Sequence, residues 1–572
     1  MANKNIFRTV LLPAIFVFAV IIIIRNIFSD TGITVTYPFN DAVFPPEFPA
    51  PTFVWSSERS DSSLWEIKLE TEDESYHIQA STDKTSWTPD ELKWDSLKYF
   101  SKFENISFSV HQSGSIRNSE HIMFSLSPDS VGAPILYRQM PIPSLVAERQ
   151  LDSMSYKLID IGSKNPPHVA MKGFVVCGNC HSFTADGSTI ALDLDAGARD
   201  KGGYFVSDIE DTILFNIDNY MSWSKIEKRR TFGLFSKISP DGRYIATTVK
   251  DRVVFYNYPA NTLENVKYSQ LFFPVNGYLA IYDRQTKTLK ELPGANLKEY
   301  VQSNAIWTPD GENIIFSRAD ALPREDINEY VVQNDTLISQ YLKRERGIKF
   351  NLCIIPFNNG NGGEAIPIEG ASNNGKSNYF PAVSPDGKWL AYCQAEDFML
   401  LMPDSRLYMI PVEGGAPRLL KSNFNSMNSW HAWSPNSKWL VFVSKGLSAY
   451  TDMFLTHIDE NGQDEIPVLV DKARELERVV NYPEFVNRNP KDLFTMNYDY
   501  VELKHMRQAL QRGDREKVKE LYYRMIAQNP YLFPEDYQVL VTYLKRIGMT
   551  EEAEKYTELA APELNTDVNE ND

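Results

Sequence analysis

Cysteine is scarce in this chain, four in 572 residues, and histidine numbers only eight. So few thiols in so long a chain argue against a disulfide framework. Cys353, in Phe350-Asn351-Leu352-Cys353-Ile354-Ile355, and Cys393, in Leu390-Ala391-Tyr392-Cys393, read as buried strand thiols. Positive charge is also lacking: the formal net charge is −17, and no basic stripe occurs outside the first 25 residues. A nucleic-acid surface needs clustered cations and is therefore not expected. Catalytic signatures are missing too: there is no G-x-S-x-G elbow, no H-E-x-x-H pair and no phosphate-binding glycine loop. The many scattered carboxylates single out no glycosidase pair. The sequence leans away from an enzyme and names no catalytic residue.

Against that scarcity, Cys177-Gly178-Asn179-Cys180-His181 places two of the four cysteines in one C-x-x-C-H pentapeptide. This is the spacing of covalent c-type haem attachment, in which two thiols add to the vinyl groups and the adjacent imidazole takes the iron from one face. Cys177, Cys180 and His181 are thus the candidate cofactor-binding residues, and covalent haem c the candidate cofactor. A redox dithiol, a local disulfide, half of a zinc site completed by His168 and His431, and a relic without haem are the alternatives. His168 or Met171, just upstream, are candidate distal iron ligands, with His431 and Met427 as further possibilities. A distal ligand would point to electron transfer, and an open iron to binding a small molecule or peroxide. The functional expectation is electron transfer or redox sensing. The alternative is a non-enzymatic protein- or glycan-binding scaffold with structural cysteines. A polysaccharide hydrolase or lyase would rest on analogy of fold alone.

Residues Thr9 to Ile24 carry no charge, and with Ile6, Phe7, Ile27 and Phe28 the apolar run reaches about 20 residues, enough to cross a bilayer as a helix. Residues 1–30 therefore read as a transmembrane anchor. Lys4 and Arg8 on its leading side favour a cytoplasmic N-terminus, with the body in the periplasm of a bacterial inner-membrane protein. The run ends in Ile-Ile-Ile-Ile-Arg without a small-residue cleavage site, so an uncleaved anchor is expected rather than a signal peptide. Export agrees with the motif, because c-type haem is attached outside the cytoplasm.

The exported part reads as mainly β. Residues 31–145 form a β-sandwich resembling the fibronectin type III or immunoglobulin-like class. Trp65-Glu66-Ile67-Lys68-Leu69-Glu70 and Ile106-Ser107-Phe108-Ser109-Val110 alternate apolar and polar residues as half-buried strands do. Trp55 and Trp65 read as core residues before they read as a sugar platform. Residues 150–495 carry a repeat: Thr184-Ala185-Asp186-Gly187, Ser239-Pro240-Asp241-Gly242, Thr308-Pro309-Asp310-Gly311, Ser384-Pro385-Asp386-Gly387 and Ser434-Pro435-Asn436-Ser437, spaced by 50 to 76 residues. Each is a tight turn followed by an apolar strand, the signature of propeller blades. Val480 to Val486 is a candidate further inner strand. The insertion Asp320 to Arg346 is expected to protrude. The stretch Leu192 to Gly203, with Asp193 and Asp195, reads as an acidic loop, a solvated turn before a calcium site.

These turns resemble the TolB-type (PD40, WD40-like) β-propellers; the five turns with the candidate strand at Val480 to Val486 count six blades, with seven as the alternative. Merged with the first turn, the C-x-x-C-H motif resembles a group of exported bacterial propellers described as cytochrome-like. That resemblance assigns thioether roles to Cys177 and Cys180 and the proximal iron ligand to His181. The helical frame of small cytochromes c is missing here.

From 499 to 562 the apolar residues Leu503, Met506, Leu510, Val518, Leu521, Met525, Leu540, Leu544 and Ala553 fall at helical spacing. This tail resembles up to two tetratricopeptide repeats, too few to stand alone, so docking on the propeller or on a partner is expected. Residues 563–572 are acidic and read as disordered. The expected partners are the membrane and a protein bound through the propeller face or the tail.

Overall fold

The computed structural model describes residues 32–57, 64–114, 119–142, 153–173, 178–195, 200–258, 270–323, 331–332, 334–501, 503–530 and 532–560. The anchor expected at 1–30, Cys177 of the motif and the acidic segment 563–572 lie outside them. Among the described residues no helix is long and apolar enough to cross a membrane.

The alternation read from Trp65–Thr71 is real: its even-spaced Trp65, Ile67, Leu69 and Thr71 are buried while the residues between them are not. It belongs to a five-stranded sheet that faces a three-stranded one built from Ile33–Tyr37, Phe53–Ser57 and Ser86–Trp87. Phe53 of the small sheet stacks on Phe108 of the large one at 4.3 Å. Trp55 and Trp65 meet edge-on at 5.9 Å inside this core, each almost fully buried, so neither offers a face to a sugar.

Where the sequence repeats, the chain makes successive four-stranded antiparallel sheets. The second and third of them merge through a bridge from Gly277 to Val301, and Val331–Val332 of the following insertion pairs with the second. The turn motif explains itself. The hydroxyl of Ser384 donates to Asp386 at 2.6 Å, Asp386 accepts the Lys388 amide at 3.2 Å, and the Ser384 oxygen accepts the Trp389 amide at 2.9 Å. Thr308 and Asp310 repeat the arrangement, and Gly311 and Gly387 supply the left-handed backbone that closes it, at φ 72° and 73°.

The innermost strands are Gly178–Phe183, Leu234–Ile238, Tyr300–Trp307, Ser377–Val383, Asn428–Trp433 and Arg478–Phe485. Each contacts the next, and the last contacts the first, so they close a ring around an axis. This is a β-propeller. Its last blade is composite: Arg478–Phe485 pairs with Ile135–Pro141, which continues through Ser155–Ile159 to His168–Lys172. The end of the sandwich and the start of the propeller therefore both move to before Ile135: Ile135–Pro141, placed with the sandwich, is a propeller strand paired with Ser155–Ile159 on one edge and Arg478–Phe485 on the other.

Two other expectations change. The helix Asp335–Leu342 lies within the insertion expected to protrude, yet it packs back, with Tyr341 buried edge-on against Phe273 and Phe398 at 5.1 and 5.7 Å. Of the acidic loop, Leu192 to Leu194 belong to strand Thr189–Leu194, Asp193 and Asp200 are buried, and residues 196–199 lie outside the described set. Asp200 accepts hydrogen bonds from the Tyr220 and Ser222 hydroxyls and the Gly202 amide, a structural role.

After strand Thr495–Tyr498, which pairs in parallel with Thr212–Phe215, the chain becomes helical: Leu503–Gln511, Arg515–Ala527, Pro534–Ile547 and Thr550–Lys555. These helices share a core built on Met506, Val518, Leu540, Leu544 and Ala553. They dock on the propeller, where Arg230 pairs with Glu535 at 2.7 Å and lies over the Phe533 ring at 4.7 Å.

Candidate functional site

Every innermost strand except its turn-proximal half would be regular were it not for one extra residue. The pairing slips between Leu234 and Lys237, Ser303 and Ile306, Tyr379 and Ala382, Ser429 and Ala432, Asn481 and Glu484, and Gly178 and His181. Such bulges bend a strand and re-aim its side chains. In five of them a residue other than glycine takes left-handed backbone: Phe235, Asn304, Phe380, Trp430 and Tyr482, at φ 43° to 58°. Cys180 stands in the corresponding place of the first blade, two residues before Ser182. His181 then corresponds to His431 in the fifth blade. This equivalence follows from distance to the turn, three residues before Thr184 and Ser434, and is legible in the sequence; by pairing, the first-blade bulge falls one residue earlier, at Asn179 and Cys180.

Beyond the bulge, one residue per blade encircles the axis: Ser182, Lys237, Ile306, Ala382, Ala432 and Glu484, all lining an axial cavity of about 400 Å³. The two charges sit on blades flanking the first. The Lys237 ammonium donates to Glu484 at 3.0 Å and to the His181 carbonyl at 3.2 Å, and it lies 5.1 Å from the Tyr482 ring centre. Burial raises the Glu484 carboxyl above its ordinary range, and Lys237 opposes that rise.

His181 is fully enclosed beside this pair, and its ring nitrogens make no well-aligned hydrogen bond, though the Leu136 backbone interacts with the ring. Glu484 Oε2 is 3.9 Å from its Nε2. Burial, then the charges of Lys237 and Arg138, hold the imidazole well below its usual pKa, so it is neutral at physiological pH. Tyr482, Phe183 and Tyr156 surround the ring edge-on, at 5.2, 5.6 and 5.8 Å. Burial, then neighbouring Asp193, pushes the Cys180 thiol up to about 12. In this packing it is a thiol rather than a reactive thiolate, which disfavours the redox-dithiol reading.

The expected haem can be tested against these atoms. Cys180 would offer one thioether sulfur, and His181 an enclosed imidazole whose nitrogens lack a well-aligned hydrogen bond. The donor types fit. The candidate distal ligands are placed elsewhere. His168 sits on the outermost strand of the last blade, its Nε2 against the Phe494 carbonyl at 3.1 Å and the Thr495 hydroxyl at 3.2 Å. Three strand spacings, about 14 Å, separate that strand from the innermost one. Met171, on the same strand, is buried in the apolar cluster with Tyr156, Leu192 and Met496. Met427 is buried, and His431 lines the axial cavity with its Nδ1 3.8 Å from Cys393 Sγ. Among the described residues no three of His, Cys, Asp and Glu come together to hold a metal ion.

Burial lowers His431 to about 4, so protonation favours the unfolded chain. Its contribution to stability is complete above pH 6.5 and is lost as pH falls through that value toward 4. Asp251 works in the opposite sense, raised by burial to about 6, and gains stability for the fold as pH falls below 6. We expect His431→Gln to flatten the acid limb: on the order of 3 kcal/mol less stability lost between pH 7 and 4 than in the parent. Denaturant titrations at stepped pH measure this, and parallel curves for parent and variant would contradict it.

The chain matches no family profile and no curated protein. Among solved structures it is similar to TolB from Acinetobacter baumannii, at 13% identity over 67% of this chain and 79% of that one, with a TM-score of 0.38. A putative TolB from Agrobacterium tumefaciens shows 13% identity over 62% of this chain and 98% of that one, with a TM-score of 0.30. The periplasmic gluconolactonase of Pseudomonas aeruginosa shows 12% identity over 58% and 81%, with a TM-score of 0.31. Likenesses at this level assign neither family nor activity.

Proposed function

We propose that this protein is a membrane-tethered, extracytoplasmic binding scaffold built on a six-bladed, TolB-like propeller, with the tetratricopeptide-like tail as part of its partner surface. The observation that carries the reading is how firmly the three folded units are fastened. The Trp439 indole donates to the Asp129 carbonyl at 2.9 Å, joining sandwich to propeller, and Arg230 joins propeller to tail. A platform that presents several surfaces in fixed register is what a scaffold requires. In-cell cross-linking of the full chain, followed by its purification from membranes, should give a discrete adduct with one protein, lost when residues 501–572 are deleted. Recovery of the chain as a single uncross-linked species in both cases would overturn the reading.

A second reading is favoured by the ring nitrogens of His181, which make no well-aligned hydrogen bond. On this reading Cys177 and Cys180 would hold a haem c through thioethers and His181 would meet its iron, which would supply one-electron chemistry for electron transfer or redox sensing. Lys237 would position His181 through its backbone carbonyl, and the surrounding aromatic rings would exclude water. Protein made with an intact cytochrome c maturation system should then give a pyridine haemochrome spectrum of about one haem per chain. Cys177→Ala with Cys180→Ala should abolish it. Native protein whose mass is that of the bare polypeptide would end this reading.

A further inference from the structure

The axial cavity has a composition that specifies a ligand. Its volume, about 400 Å³, lies within the range of sites for small molecules. Its lining includes the prolines of four blade turns, Pro240, Pro309, Pro385 and Pro435. Its polar content is unusual in balance. The two charges on its inner ring, Lys237 and Glu484, are already paired with each other at 3.0 Å. A charged ligand would find no unmatched partner there and would forfeit its hydration.

Two hydrogen-bonding atoms on the lining residues are buried and unused: the indole Nε1 of Trp430 and the imidazole Nε2 of His431. Both residues are more than nine-tenths buried. Native proteins rarely leave such atoms unpaired, and each one costs free energy until something pairs with it. One is a donor, and the other accepts or donates according to the tautomer. Around them stand rigid aromatic walls. The Trp307 indole donates to the Lys237 carbonyl at 3.1 Å and the Trp433 indole to the Ala382 carbonyl at 3.0 Å, which fixes both rings.

A lining that is neutral in sum, aromatic on its walls and supplied with uncommitted neutral donors and acceptors selects an uncharged ligand with an apolar face and several hydroxyls. The geometry points to the axial cavity as a binding site for a neutral saccharide of one or two rings, hydrogen-bonded by Trp430 and His431 and packed against Trp307 and Trp433. This inference rests on the scaffold reading and adds a small-molecule site to it.

The test uses the full chain in detergent, with cellobiose and N-acetylglucosamine as neutral probes and sodium galacturonate as the charged one. Binding is followed by calorimetry and by tryptophan fluorescence. A neutral probe should bind, and galacturonate should bind at least about tenfold more weakly. Trp430→Phe keeps an aromatic ring and removes only the N–H, and it should weaken the neutral probe about tenfold, the loss of one hydrogen bond. A circular-dichroism melt matching the parent would show that the variant folds. Absence of binding by both neutral probes up to about 10 mM overturns the inference, as does tighter binding of galacturonate or binding that Trp430→Phe leaves unchanged. Failure here with the cross-linked partner retained leaves the scaffold reading standing. Saccharide binding without a protein adduct would do the reverse.

Discussion

Replacing Lys237 with Met is expected to lower the stability of the propeller by about 3–5 kcal/mol, the cost of leaving one member of a buried ion pair alone. The side chains of Lys237 and Glu484 are only 16% and 22% exposed. The ammonium also holds the His181 carbonyl, so its loss unfastens the first, second and last blades at once. The deficit should depend on pH. Glu484 is already raised by burial, and without Lys237 it rises further, so the folded variant takes up a proton that the unfolded chain does not hold. Stability is then greater at low pH and falls as pH rises through the raised carboxyl. The penalty of Lys237→Met should therefore be smaller at pH 5 than at pH 8. Adding Glu484→Met should restore most of the loss, since well-packed apolar pairs replace buried ion pairs at little cost. Calorimetric melts of the parent, both single variants and the double variant measure the coupling. Additive losses would show that the two side chains do not act as a pair.

Trp439→Ala is expected to cost about 3–5 kcal/mol and to loosen the sandwich from the propeller. Trp439 is fully buried, its indole donates to the Asp129 carbonyl, and its ring lies edge-on to His457 at 5.1 Å. His457 in turn meets the Asp129 carboxylate at 2.8 Å, and Asn436 donates to the Ser130 carbonyl at 2.7 Å. The cavity left by the indole thus opens under the segment that joins the two units. Limited proteolysis should cut the variant between Ser127 and Val131 while the parent resists. Trp439→Phe keeps most of the packing and should lose only about 1 kcal/mol, the value of the missing hydrogen bond. Equal protease resistance in all three proteins would contradict the fastening assigned to Trp439.

The turns of the propeller were legible because their chemistry is local. Ser384, Asp386 and Gly387 satisfy one another within six residues, and the same spacing recurs at Thr308 and Ser239. The apolar spacing of the tail was legible for a similar reason, since helical neighbours are near in sequence. The bulges were not, because a bulge is a relation between two strands and Phe380 or Trp430 carries no mark of left-handed backbone. Lys237 and Glu484 meet only when the ring shuts, so neither stood out among many charged residues. Cys180 and His181 were found by their spacing. The burial of His181 and the placing of His168 on an outer strand depend on which strand of the blade the motif occupies, and no short motif records that.

The pairing of Arg478–Phe485 with Ile135–Pro141 has a consequence for biogenesis. The hoop cannot be latched until the chain has been made as far as Phe485, because its clasp joins the first and last strands of the propeller segment. Contacts so distant along the chain form slowly, after much loop-closure entropy has been surrendered. The propeller ring therefore stays open through most of synthesis and closes only after Arg478–Phe485 has emerged.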